Sequence, residues 1–175
     1  RFGESVVTSY GRAFKVDAKI ARIFNTYGPN MRLDDSRLIV DLIRKALDNQ
    51  PIVVYGGEKS QISYCYVTDI VKGLVRLMEQ GGVQPVNFGH DAYAIMTDLA
   101  KTIVKLSDST SEIKLEAELP SGRHQPLLPD IGRAKDQLGW FPITLLDEGL
   151  KNTIDYMRAS RGLIDLKSIS NKATQ

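Results

Sequence analysis

The stretch Arg22-Ile23-Phe24-Asn25-Thr26-Tyr27-Gly28-Pro29 constrains the fold of this chain more than any other. Ala18 to Phe24 is an apolar run with Ile20, Ala21, Ile23 and Phe24, and it stops at a polar, turn-forming tip. That is the pattern of a buried strand. A strand this apolar belongs inside a sheet covered on both faces, not on an exposed edge. It is expected to pair with strands that this sequence does not contain. In open α/β sheets the ligand crevice lies outside the carboxyl ends of the strands, which is where Asn25 and Thr26 fall. An amide and a hydroxyl there suit a phosphate, a ribose or a sugar. Asn at a strand-to-loop junction also serves turns.

The rest of the chain alternates between the two periods. Helices are expected at residues 2 to 14, at Leu38 to Asn49, from Thr68 or Asp69 past Met78, and from Thr97 through Leu106. Two more are expected at Ile131 to Leu138 and from about Asp147 to Arg158. Their apolar residues recur at helical spacing, as in Ile39, Leu42, Ile43, Ala46 and Leu47, or Ile70, Val71, Leu74, Val75 and Met78. Short strands are expected at Ile52 to Val54, Ser63 to Val67, Val86 to Phe88 and Glu112 to Glu116. Strands alternating with helices make the class α/β. Thr68 or Asp69, Thr97 and Asp130 are the candidate helix caps. Residues 1–160 form the folded part, and 161–175 read as a flexible tail.

Composition narrows the function. The net charge is +2, with Lys and Arg scattered among Asp and Glu, so the concentrated basic face of a nucleic-acid binder is missing. No stretch is long and apolar enough to cross a bilayer. The two histidines lack partners at zinc spacing, so no metal site is expected. The single cysteine, Cys65, sits in the apolar run Ile62 to Val67 and reads as a core residue in a reducing, cytoplasmic setting. Trp140 and Phe141 read as core packing, and Asp69 as structural. Gly56-Gly57-Glu58-Lys59-Ser60 lacks the Gly before Lys of a phosphate loop and reads as a turn.

The order of motifs resembles the C-terminal portion of extended Rossmann-type short-chain dehydrogenase/reductases acting on nucleotide sugars, with their small substrate-binding subdomain. The matching segments are Arg22 to Pro29, then Arg37, Val53 to Gly56, Tyr66 to Leu74, Val86 to Gly89, Pro129 to Lys135, Leu138 to Pro142 and Leu146 to Leu150. Within that family the chain looks most like the UDP-glucuronate decarboxylases, with 4,6-dehydratases and 4-epimerases as cousins. The chain opens at Arg1 without an initiator Met. It is read as the later part of a longer protein whose catalytic Tyr-x-x-x-Lys pair would end just before Arg1. The 175 residues alone are therefore expected to be inactive.

The resemblance implies NAD as cofactor, with Thr26, Arg32 and Arg37 on the cofactor side. It implies a UDP-linked sugar as substrate, with Tyr10, Asn25, Tyr55, Lys59 and Arg123 on that side. Tyr10 equally suits a subunit interface, and Tyr55 an inward-packed aromatic. Two arginines that relatives place against the diphosphate are replaced here by Ile62 and Leu127; Lys59, Arg123 and His124 are the candidate substitutes. The resemblance further implies a homodimer through the 2–14 helix. It implies reaction through a 4-keto sugar, which decarboxylation, dehydration or epimerisation can follow.

Overall fold

The computed structural model describes residues 2–32, 34–116 and 127–172, with 163–172 described by backbone alone. In chain order the elements are α1 (Phe2–Phe14), β1 (Ala21–Ile23), β2 (Thr26–Tyr27), α2 (Leu38–Leu47), β3 (Ile52–Tyr55), β4 (Gln61–Ile62) and β5 (Cys65–Tyr66). There follow α3 (Val67–Gln80), β6 (Val86–Phe88), β7 (Ala94–Ile95), α4 (Met96–Leu106), β8 (Ile113–Glu116), α5 (Gly132–Leu138) and α6 (Leu146–Lys172). The α/β class is as expected. The chain divides into two compact units: Arg1–Thr26 with Ser63–Tyr93 and Leu127–Thr144, and Tyr27–Ile62 with Ala94–Pro126 and Leu145–Gln175.

In the first unit β1 runs parallel to β6, with Ala21 opposite Val86 and Ile23 opposite Phe88. The Val86 amide donates to the Ile20 carbonyl, and the Phe24 amide to Phe88, each at 2.9 Å. Backbone groups alternate sides along a strand. Those of Ala21 and Ile23 therefore point to the opposite flank of β1, along which no strand of the described residues pairs. Ile23 is 52% exposed. β1 is therefore less buried than its apolar run predicts, with residue pattern half-buried, exposed, exposed.

The core of this unit joins Cys65, Ile70, Leu77, Val86, Phe88, Ile131, Ala134, Leu138 and Trp140, with Ala21 and Leu74 packed against it. Gly73 makes it possible. A Cβ there would lie 2.5 Å from the Phe88 ring and 2.9 Å from Trp140 Nε1. The two rings meet edge to face at 4.9 Å, a favoured aromatic geometry, and the indole N–H donates to the Asp69 carbonyl at 2.8 Å.

Several expectations are corrected in this unit. Phe141 is 56% exposed, because Trp140 alone fills the space beside Phe88. Val71, Val75 and Met78 are exposed, because α3 packs inward along Ile70, Gly73 and Leu77. Neither Thr68 nor Asp69 caps α3, whose N-cap is Tyr66. The buried Asp69 carboxylate instead accepts the Ile143 and Thr144 amides at 3.1 and 2.9 Å, so its role is structural, as expected.

In the second unit β3 and β8 are parallel, with Ile52 opposite Ile113 and Tyr55 opposite Glu116. β4 and β7 are antiparallel, with Gln61 opposite Ile95. The helices α2, α4 and α6 pack together, burying Ile39, Leu42, Ile43, Leu99, Ile103, Leu150, Ile154 and Met157. Thr97 does not cap α4. The helix begins at Met96, whose amide is already satisfied by the Ser60 carbonyl at 2.8 Å. α6 does not close near Arg158 but continues to Lys172. Arg161 explains the first extra turn: its guanidinium forks onto Asp48 at 2.7 and 2.9 Å.

Candidate functional site

The carboxyl ends of β1 and β6 lie side by side in the first unit, so the crevice-forming end of this parallel pair is built from Phe24-Asn25-Thr26 and Gly89-His90. Gly89 has no room for a side chain: a Cβ would lie 2.7 Å from Pro129 and 2.9 Å from Phe24 Cβ. The bare backbone lets the two strand ends close together.

Asn25 is exposed. Its Nδ2 donates to the Ser63 carbonyl at 3.3 Å, and its own carbonyl accepts the Cys65 amide at 2.9 Å. Since a carbonyl only accepts, the amide nitrogen is the atom facing Ser63, and Oδ1 is turned elsewhere. The buried Ser63 hydroxyl donates to the His90 carbonyl at 2.5 Å. His90 Nδ1 accepts the Ala92 amide at 3.1 Å, which leaves a proton for Nε2. Asp91 pairs with Lys135 at 2.7 Å, and that ammonium holds its carboxyl below the usual range.

Thr26 donates its hydroxyl proton to the Phe24 carbonyl at 2.9 Å. What it offers outward is therefore an acceptor, which fits an amide N–H or a hydroxyl. Such an acceptor is compatible with the carboxamide N–H or a ribose hydroxyl of a nicotinamide cofactor. Tyr10 lies on α1, where its ring packs on Phe14 at 4.3 Å between centroids. No residue of α1 is buried.

The other sequence-derived candidates belong to the second unit. Arg32 forks onto Asp34 at 2.9 and 2.7 Å. Arg37 donates from both Nε and Nη2 to the one Asp35 oxygen Oδ2, at 2.8 and 2.6 Å. The hydrogen bonds from these guanidiniums hold both aspartates below the usual carboxylate range. Both arginines are exposed and carry a neutralising partner. Tyr55 closes β3 half-buried. Lys59 is exposed in the turn that follows, where Gly56 and Gly57 have φ of 87° and 75°. These left-handed angles favour glycine and support the turn reading of this segment. Arg123 lies outside the described residues.

Asn25 and Thr26 are thus brought to one strand end, with Ser63 and His90 beside them. The latter two were missed in the sequence. A serine inside an apolar run and a histidine after Gly89 carry no local signal for a strand-end cluster. Burial accounts for Cys65: it pushes the thiol up to about 12, the Asp69 charge adding to the effect. Among the described residues no group of His, Cys, Asp and Glu could hold a metal ion, and no helix is long and apolar enough to cross a membrane.

Residues 1–89 match the model of the NAD dependent epimerase/dehydratase family. UDP-glucuronic acid decarboxylase 3 of Arabidopsis thaliana is 40% identical over 150 residues, which cover 86% of this chain and 44% of that protein. The UDP-glucuronic acid 4-epimerase from Bacillus cereus, solved with UDP-glucuronic acid and NAD, is similar with a TM-score of 0.77 and 25% identity, over 90% of this chain and 50% of that one. The UDP-glucose 4-epimerase of Thermotoga maritima shares the fold with a TM-score of 0.81 and 24% identity, over 90% of this chain and 51% of that one. The chain spans about half the length, or less, of these relatives.

Proposed function

The chain belongs to the NAD dependent epimerase/dehydratase family, and from that premise we propose that it is the substrate-side, C-terminal part of an NAD-dependent UDP-glucuronate decarboxylase that forms UDP-xylose. The observation that carries this reading is the outward-facing flank of β1. Ala21 and Ile23 offer ladder groups there that no described strand takes up, as a strand from a preceding half of a longer protein would require. Similarity to named decarboxylases supports this branch of the family.

In this reading the first unit supplies the last Rossmann elements and the second the substrate-binding subdomain. Asn25, with Tyr10, Tyr55, Lys59 and Arg123, serves the sugar nucleotide. Thr26, Arg32 and Arg37 serve the cofactor. The catalytic Tyr and Lys stand upstream of Arg1, on the helix that α1 continues. Phe2, Val6 and Phe14, all exposed along α1, form the homodimer contact of a cytoplasmic enzyme.

NAD, when bound, supplies the hydride acceptor for oxidation at C4 of the sugar. A 4-keto sugar with a C6 carboxylate is a β-keto acid. Its C5–C6 bond breaks, carbon dioxide leaves, and the electron pair enters the carbonyl as an enolate. A proton taken up at C5 and return of the hydride to C4 would then give the pentose. Asn25 and Thr26 hold and orient polar groups at the strand end, and the ketone is the electron sink. Likeness to a 4-epimerase solved with UDP-glucuronic acid and NAD supports a second reading, in which the carboxylate is kept and the ketone is reduced from its other face.

Mass spectrometry of the full-length protein incubated with NAD and UDP-glucuronate tests the proposal. Loss of one carbon dioxide from the nucleotide sugar supports decarboxylation. An isomer of unchanged mass supports the epimerase reading instead.

A further inference from the structure

Ser63 touches both strand ends of the first unit, its hydroxyl at one and its backbone carbonyl at the other, and none of the roles proposed above uses it. It is 4% exposed. Its hydroxyl donates to the His90 carbonyl beyond β6 at 2.5 Å, and its carbonyl accepts Asn25 Nδ2 beyond β1 at 3.3 Å. The Cys65 amide closes the loop back to the Asn25 carbonyl at 2.9 Å. The β6 end is itself anchored by the close approach at Gly89 and by the Lys135–Asp91 pair.

We infer that Ser63 is a positioning residue for sugar-nucleotide binding: by pinning its own loop to the β6 end it holds the carbonyl that orients the Asn25 amide. This rests on the assignment of Asn25 to the sugar nucleotide made above. With Nδ2 turned to Ser63, Asn25 presents Oδ1 and one N–H outward, a donor–acceptor pair matched to a hydroxyl that can both give and take a proton. Removing the Ser63 hydroxyl orphans the His90 carbonyl and releases the loop, so the Asn25 amide loses its fixed orientation. Thr26 is insulated from that change, because its hydroxyl is set by the Phe24 carbonyl within its own strand end. The effect should therefore fall on one ligand and spare the other.

The test is calorimetric binding of UDP and, separately, of NAD to the full-length protein, as wild type, Ser63→Ala and Ser63→Thr. The expected result is a Kd for UDP raised roughly tenfold in Ser63→Ala, with the Kd for NAD unchanged. In Ser63→Thr, which keeps the hydroxyl, UDP affinity should lie closer to wild type than in Ser63→Ala. Unchanged UDP affinity in Ser63→Ala, or a parallel loss of both ligands, overturns the positioning role and leaves the assignment of function standing. UDP affinity in Ser63→Thr no better than in Ser63→Ala also overturns it. A wild-type protein that does not bind UDP removes the functional assignment and this inference with it.

Discussion

Glu4 and Arg22 meet in a two-point fork, Nε to Oε1 and Nη2 to Oε2, each at 2.6 Å, and so lock α1 onto β1 across 18 residues of sequence. The hydrogen bonds to Glu4 raise the Arg22 pKa further. Fork geometry of this kind is directional in a way that a lysine cannot reproduce. In a double-mutant cycle, Glu4→Gln and Arg22→Lys should show less-than-additive losses in thermal midpoint. Because both groups touch water, the coupling should fade at about 1 M salt, where the screening length is about 3 Å. Additive losses at low salt would show that the fork does not set the helix on the strand.

Gly73 and Gly162 are both helical, and their surroundings predict opposite outcomes for alanine. At Gly73 the added methyl runs into buried Phe88 and Trp140, neither of which can swing away. Overpacking of this kind costs about 1–3 kcal/mol, against a helix-propensity gain of about 1 kcal/mol. At Gly162 nothing lies within 4 Å, so Gly162→Ala should stabilise by about 0.5–1 kcal/mol. Denaturant unfolding of the two variants should shift the midpoint in opposite directions.

Cys65 should be inert in the folded protein. With its thiol pushed up to about 12 by burial, only about one molecule in ten thousand carries the reactive thiolate at pH 8. A disulfide reagent at pH 8 should label it only after denaturation. The sign of the pH effect follows. Between the ordinary thiol value of 9.0 and about 12 the folded state holds the proton that the unfolded state has lost, so stability falls as pH rises through that window.

Asp48 and Arg161 give the opposite sign. The hydrogen bond from Arg161 lowers the Asp48 pKa from 3.8. The folded form therefore gains stability above pH 3.8 and loses it as pH falls through the lowered value. Arg161→Gln should return the Asp48 carboxyl towards 3.8 in a carboxyl-carbon NMR titration. It should also speed amide exchange at residues 159–161 of α6. A titration unchanged in the variant would contradict the fork.

Periodicity made most of the architecture legible. Val86 to Phe88 and α1 fall where alternation and helical spacing put them, and the apolar tract Ala18 to Phe24 contains β1. Legibility ended where the decisive partner is remote in sequence. Asp69 and Thr97 look like caps, but the Ile143 and Thr144 amides claim the first, and the Ser60 carbonyl makes the second unnecessary. Val71, Val75 and Met78 read as core because a helical stripe cannot announce that Gly73 is the contact line. Asn25 and Thr26 were readable as a strand tip. Ser63 was not, since its meaning comes from His90, 27 residues away.

On the proposed function, the outer flank of β1 is completed by the preceding half of a longer protein. Amide hydrogen exchange at Ala21 and Ile23, compared between the 175-residue chain and the full-length protein, tests that directly. Both amides should exchange rapidly in the chain alone and be strongly protected in the full-length form, with the Phe24 and Val86 amides exchanging more slowly than these two in the chain alone. Protection of Ala21 and Ile23 already present in the 175-residue chain, or absent from the full-length protein, would contradict it.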